Sequence, residues 1–346
     1  MQSLLLWRKL MPSISEHRKV ECETLALLEA LLQEKYIARS PRRLNPFGYA
    51  QKNIFSILFL ALYRAVGIDE PRRRLYGLIN HAVRGLVTGT DNLLDDEYKE
   101  MLPLRFPAGA TRFKSVMHIL LFDRILFRSL DRALEQGLIS GTERERVSRA
   151  VFQAMVPIGE EEATEEGGVS EIFTPERILS SVHMYKGGNL LRLAFVAPLL
   201  LEPEMKSLLE PADRGIYQIG VALQIIDDLT DFYEDIRDRR HNYLVSSIHH
   251  EGTKAERELL ASLLTRRGDT GEQVHLVYRE SVYRVMDRAI GRALSGFALL
   301  EQAGFRIRQK DAMRLMCHLF KLRGVGHLLE LLPGQQPVFH GIEARV

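Results

Sequence analysis

Apolar residues recur at helical spacing along most of the chain, and no run alternates β-branched residues between turn signals as a half-buried strand would. Leu25, Leu28, Ala30, Leu31 and Leu32 predict a first amphipathic helix, with Pro41 and Pro46 ending the segment. The stretch NIFSILFLALYRAVG from Asn53 is apolar almost all round, which predicts a buried helix. A third helix is expected from about Pro71, a first-turn position that suits proline, through Leu86 to the acidic cluster near Asp91. Further helices are expected over roughly 111–136, 142–157, 174–201, 212–238, 253–267, 271–302 and 308–331.

Two breaks interrupt this pattern. MLPLRFPAGAT, from Met101, carries two prolines and a glycine and reads as a loop. GEEEATEEGGVSE, from Gly159, reads as a solvated acidic loop rather than a cation site. Residues 333–346 are expected to form a loose tail. No internal repeat or linker demands a boundary, so the chain reads as one all-α domain over 1–346.

Composition narrows the function classes. A net charge of +2 over 346 residues, with both signs dispersed, excludes a general polyanion-binding surface. No basic stripe with interleaved aromatics suggests nucleic-acid binding. Cys22 and Cys317 build no disulfide scaffold and show no metal spacing, which fits a reducing compartment. The apolar run Leu4 to Trp7 is shorter than the roughly 7–15 residues of a signal core. LLRLAFVAPLLL, from Leu190, falls short of the roughly 20 residues that span a bilayer. A cytoplasmic protein is expected, with an apolar substrate or product as its one route to a membrane surface.

The informative segments are acidic. In GVALQIIDDLTDFYEDIRDRR, Asp227, Asp231 and Asp235 are spaced i, i+4, i+8 and would share a helix face, with Asp228 beside the first. Stacked carboxylates repel, and those ending an apolar helix need a cation or basic partners; Arg237, Arg239 and Arg240 offer the second solution. In TDNLLDDEYKE, Asp91 and Asp95 repeat the i, i+4 spacing after another mainly apolar helix, with Asp96 and Glu97 adjoining. Two such pairs suggest facing acidic walls that hold Mg²⁺, an oxygen-seeking ion commonly completed by substrate phosphates. A diphosphate held above an apolar cavity is the chemistry implied.

With these motifs the sequence resembles the trans-isoprenyl diphosphate synthases of the class I isoprenoid synthase fold. LQIIDDLTD is similar to that family's second aspartate-rich motif, with Leu223 for the usual Phe. DNLLD resembles the first motif with Asn92 for its second aspartate, and TPERILSSVHMYKGG resembles the segment ending in the family's Lys-Thr pair. The likeness covers roughly residues 45–245. It implies a helical bundle around a deep apolar pocket and three Mg²⁺ ions bridging an allylic diphosphate to Asp91, Asp95, Asp227, Asp228 and Asp231. It also implies Lys186 and Gln224 as substrate contacts in catalysis, with Lys52, Arg105, Arg239 and Arg240 as further substrate-binding residues. Leu86 and Val87, just before the first motif, would limit product length, and a homodimer is implied.

Some family features are missing. The basic isopentenyl-diphosphate segment retains only Lys52 in FGYAQKNIF, the Arg pair after the first motif is replaced by Arg105, Arg112 and Lys114, and Gly187 follows the motif lysine. Elongation of an allylic diphosphate by isopentenyl diphosphate is the leading expectation. A class I terpene cyclase, a squalene or phytoene synthase-like head-to-head enzyme, and a non-catalytic partner subunit are the alternatives. His241, His249 and His250 are expected at the surface or in loops.

Overall fold

The computed structural model describes residues 3–38, 46–95, 98–266, 273–307, 309–322, 324–326 and 328. The fold is all-α; among the described residues the only β pairing is an isolated bridge between Ile37 and Leu104. In chain order come α1 (Ser3–Leu31), α2 (Pro46–Lys52), α3 (Ile54–Val66), α4 (Glu70–Leu94), α5 (Thr111–Glu135) and α6 (Gly141–Thr164). A short α7 (Pro175–Arg177) runs through two π-helical stretches (Ile178–Val182 and Met184–Asn189) into α8 (Leu190–Leu201). Then follow α9 (Lys206–Thr230), α10 (Phe232–Asp238), α11 (Tyr243–Glu251), α12 (Lys254–Arg266), α13 (Val274–Val277), α14 (Arg279–Gln302) and α15 (Gln309–Leu322). No helix among the described residues is long and apolar enough to cross a membrane.

The helices form two compact units. The first comprises Met1–Phe152, Leu193–Leu209 and Ala303–Phe305. Its core is α3, whose residues from Ile57 to Tyr63 are all buried, as an apolar circumference requires. Tyr63 packs edge-on against Tyr76 and Phe195, each at 5.7 Å, and its hydroxyl is satisfied by the Ala194 carbonyl and the Asn80 amide. Asp69 caps α4 by accepting from the Arg72 amide at 2.9 Å, with Pro71 in the first turn as the sequence predicts. Further along α4, a Cβ on Gly85 would lie 2.1 Å from the Phe122 ring and one on Gly89 2.8 Å from Ile119. These two glycines therefore let α5 lie close against α4.

The second unit comprises Gln153–Arg192, Glu210–Gln302 and Arg306–Val346. Its axis is α9, where Val221, Ala222, Leu223, Ile225 and Ile226 are buried immediately before the aspartates. Helix α14 crosses it at Gly215 and Gly296, each of which faces the other's backbone carbonyl too closely for a side chain.

Several boundaries differ from expectation. α1 begins much earlier than its apolar cluster at 25–32, and Pro12 lies inside it. Pro46 opens α2 instead of ending a segment, while Pro41 lies outside the described residues. The acidic stretch from Gly159 is helical only over its first half, because α6 continues past Pro157 to Thr164, and the expected loop begins after it. Glutamate is a good helix former, and two glutamates of this stretch find a basic partner. The helix expected over 212–238 breaks at Asp231, that over 271–302 divides at Tyr278, and α11 was not anticipated. The tail at 333–346 lies outside the described residues.

Candidate functional site

The first aspartate pair ends α4. Asp91 and Asp95 are exposed and one turn apart, the Asp95 amide donating to the Asp91 carbonyl at 2.9 Å. Carboxylates at a helix C-terminus oppose the helix dipole, so a cation there relieves a local cost. Asn92, between them, is 4% exposed and turned away from solvent. Its side chain clasps the Lys99 backbone, accepting from the amide at 2.9 Å and donating to the carbonyl at 3.1 Å. Asp96 and Glu97 lie outside the described residues. In the same unit Lys52 is exposed at the end of α2, where its carbonyl accepts from Arg84 at 3.1 Å. Arg105 is exposed in the loop before α5, its amide donating to the Tyr36 carbonyl at 2.7 Å.

The second aspartate group spans the α9–α10 junction. Backbone bonds from Asp231 to Asp227 (2.9 Å) and from Asp235 to Asp231 (2.8 Å) carry the helical ladder across the break. The four side chains nonetheless have different environments. Asp227 is half-buried and Asp231 exposed, whereas Asp228 and Asp235 are buried. Asp228 accepts from the Tyr243 amide and from Gln224 Nε2 at 3.3 Å, and pairs with His183 Nε2 at 2.9 Å. Asn242 joins the two buried aspartates, donating at 2.7 Å to the Asp228 carbonyl and at 2.7 Å to Asp235 Oδ2. Burial pushes Asp235 well above the ordinary carboxylate range and the Asp228 charge adds to it, against the pull of the Asn242 hydrogen bond. The spacing i, i+4, i+8 thus gives two outward carboxylates and one interior acid.

Lys186 sits in the second π-helical stretch, a local widening that often accompanies functional positions. Its ammonium lies 2.7 Å from Glu165 and 3.1 Å from Glu162, both from the segment expected to be solvated. Burial works against the ammonium, yet the charges of Glu165 and Glu162 outweigh it and hold Lys186 above the ordinary lysine value. Arg239 adopts a left-handed backbone (φ 55°) at the end of α10. Its carbonyl accepts from Val169 at 2.7 Å, and its guanidinium donates to the Gly167 carbonyl. Arg240 is half-exposed, and its amide donates to the Asp235 carbonyl at 2.8 Å. His241 stacks on Phe173 at 4.0 Å, while His249 and His250 are exposed in the last turn of α11.

Within the second unit the fold therefore ties Gln224 and Asp228 into one network and pairs Lys186 separately with Glu165 and Glu162, and sequence reasoning missed the other members of both. His183 lies three residues before Lys186, and Asn242 and Tyr243 follow the basic run; none has a motif to mark it. Glu162 and Glu165 were visible as charge but not as partners. Among the described residues no group of three or more His, Cys, Asp or Glu side chains is placed to hold a metal ion. What fits Mg²⁺ is the donor chemistry of Asp91 with Asp95 and of Asp227 with Asp231: oxygen-only pairs, of the number Mg²⁺ commonly takes from protein when phosphates complete its shell.

The fold is shared with solved prenyl diphosphate synthases. A decaprenyl diphosphate synthase from Rhodobacter capsulatus matches with a TM-score of 0.58 at 18% identity, over 88% of this chain and 98% of that chain. An octaprenyl pyrophosphate synthase from Helicobacter pylori matches at 0.60 and 14%, over 88% and 98%. A heptaprenyl diphosphate synthase from Staphylococcus aureus matches at 0.54 and 15%, over 90% and 98%. No protein-family model matches the sequence, and no curated protein matches it.

Proposed function

We propose that this chain is a Mg²⁺-dependent prenyltransferase that extends an allylic isoprenoid diphosphate with isopentenyl diphosphate and releases diphosphate. The observation that carries the reading is a prenyl-synthase fold over 88% of the chain in which aspartate pairs end two apolar helices. The likeness to chain-length synthases spans residues of both compact units, which supports one functional domain over 1–346.

In this reaction the bond between the allylic carbon and its diphosphate oxygen breaks with the electron pair leaving on oxygen. The alkene of isopentenyl diphosphate attacks the cationic carbon, and loss of a proton completes the lengthened product. Mg²⁺, when bound, supplies Lewis acidity to the departing diphosphate. Asp91, Asp95, Asp227 and Asp231 are the residues that would hold it. Asp228 has a different part, orienting Gln224 and His183 through its buried hydrogen bonds. Lys186 is the nearby cation for diphosphate oxygens, with Lys52, Arg105, Arg239 and Arg240 as further candidates. Leu86 and Val87, half-buried in the turn before the Asp91 turn, offer apolar surface to a prenyl chain and keep water from the cation.

A one-substrate cyclase or a head-to-head enzyme is the second reading. It draws on Lys52 being the one basic residue in FGYAQKNIF and on Asn92 being committed to the Lys99 backbone. A homodimer is part of the proposal, supported by Phe113, Val116 and Leu120, which lie exposed along one stripe of α5. The free thiols Cys22 and Cys317 support a cytoplasmic setting.

Product analysis decides among these readings. Purified protein with Mg²⁺ and geranyl, farnesyl or geranylgeranyl diphosphate, with and without isopentenyl diphosphate, should yield longer diphosphates only when isopentenyl diphosphate is present. Hydrocarbons or alcohols formed without it would establish the second reading instead. No turnover in any condition would leave the partner-subunit alternative standing.

A further inference from the structure

Lys186 does not stand open to an incoming anion. Its side chain is 14% exposed, and two of the three ammonium donors are directed at Glu165 and Glu162. Glu165 is the more deeply set partner, with a side chain 5% exposed and an Oε1 that is buried without a hydrogen bond. A carboxylate left half-satisfied in the interior is costly unless its charge is matched, and Lys186 is the cation at ion-pair distance.

The segment carrying Glu165 is also fastened. The Gly168 amide donates to the Glu165 carbonyl at 2.9 Å and the Val169 amide to the Arg239 carbonyl at 2.7 Å. Arg239 holds the Gly167 carbonyl, Ser246 Oγ donates to the Phe173 carbonyl at 2.5 Å, and Arg177 lies 3.4 Å over the Phe173 ring. Glu165 is therefore a placed residue rather than a mobile surface glutamate. Glu161, half-buried nearby, adds further negative charge that Lys186 must also serve.

We infer that Glu165, assisted by Glu162, is a built-in counter-anion for Lys186, so that a diphosphate gains this lysine only by displacing the carboxylates. The inference rests on the reading of Lys186 as a diphosphate-side lysine. It makes Glu165 a specificity-determining position: the lysine is withheld from weakly charged anions and is surrendered only to one whose charge outcompetes two carboxylates.

The test is titration calorimetry with inorganic diphosphate in the absence of metal. Glu165→Gln should bind about tenfold more tightly than the unmodified protein, equivalent to about 1.4 kcal/mol. Glu162→Gln, which removes a carboxylate that is 37% exposed and screened, should gain less. Adding Lys186→Gln to Glu165→Gln should abolish the gain. In parallel, labelling by an amine-reactive reagent, read at Lys186 by peptide mass spectrometry, should be slow in the unmodified protein and faster in Glu165→Gln. Thermal melts check that each variant folds, and the Glu165→Gln comparison stands even if Lys186→Gln does not fold.

Equal diphosphate affinity and equal labelling rates in Glu165→Gln would overturn the inference. So would a loss of metal-free affinity in Lys186→Gln alone, which would mean the lysine already serves the anion. The synthase reading fails separately, in the product assay, whatever the titration gives.

Discussion

Gly187 and Gly220 meet backbone to backbone. A Cβ on Gly220 would lie 2.3 Å from the Gly187 carbonyl oxygen, and one on Gly187 2.5 Å from the Gly220 carbonyl oxygen. The contact seats the π-helical stretch of Lys186 against α9, one turn before Gln224. It also explains why glycine follows the lysine where the resembled motif has threonine: the side chain would have no space.

Gly220→Ala should therefore destabilise the protein by about 1–3 kcal/mol, the usual cost of overpacking. Urea unfolding followed by circular dichroism measures it. An unchanged midpoint would mean that the two backbones do not meet this closely.

Neighbouring aspartates should respond oppositely. Asp227→Ala should leave stability nearly intact while abolishing the Mg²⁺-dependent thermal shift caused by a bisphosphonate. Asp228→Ala should lower stability by about 3 kcal/mol, because it orphans the buried Tyr243 amide and the His183 nitrogen at once. Near-normal turnover in Asp227→Ala would remove that residue from the metal assignment.

In the resemblance of DNLLD to the first aspartate-rich motif Asn92 stands for an aspartate, yet introducing the acid should not help. Asn92→Asp replaces a donor with an acceptor facing the Lys99 carbonyl, and should cost about 1–3 kcal/mol. Its Mg²⁺ affinity, read by the same bisphosphonate shift, should not improve. A stronger shift at unchanged stability would show that position 92 faces the metal.

Acid sensitivity should come partly from the first unit. His17 pairs with the Tyr49 hydroxyl at 2.7 Å and packs against His81. Burial lowers the two imidazoles from 6.5 to about 2 and about 3, with repulsion from His81 adding to the first and from Arg84 to the second. Because the folded values lie below the unfolded one, their contribution to stability is complete above pH 6.5 and declines as pH falls from there towards 3. Melting temperature should drop between about pH 7 and about pH 5, and replacing both histidines by Gln should flatten that limb. An equal slope in the double variant would place the acid sensitivity elsewhere.

Much of the architecture was legible from local rules. Helical periodicity marked α3, α4, α5 and α9, and Pro71 marked the first turn of α4, because such preferences act within one or two turns. The same rules misjudged the stretch from Gly159, where net acidity suggested solvent and the chain instead continued α6 towards Lys186. They also missed α11, whose capping residue Asn242 serves Asp228 and Asp235 as well as its own helix.

Sequence alone determined the all-α class and the two aspartate spacings, since a 3.6-residue period places i and i+4 together whatever surrounds them. Tertiary structure alone decided which carboxylates remain outward and which become internal partners. His183 reaches Asp228 across 45 positions and Glu165 reaches Lys186 across 21. Burial and charge pairing are set by such distant neighbours, whose effect on an ionisable group no local spacing encodes.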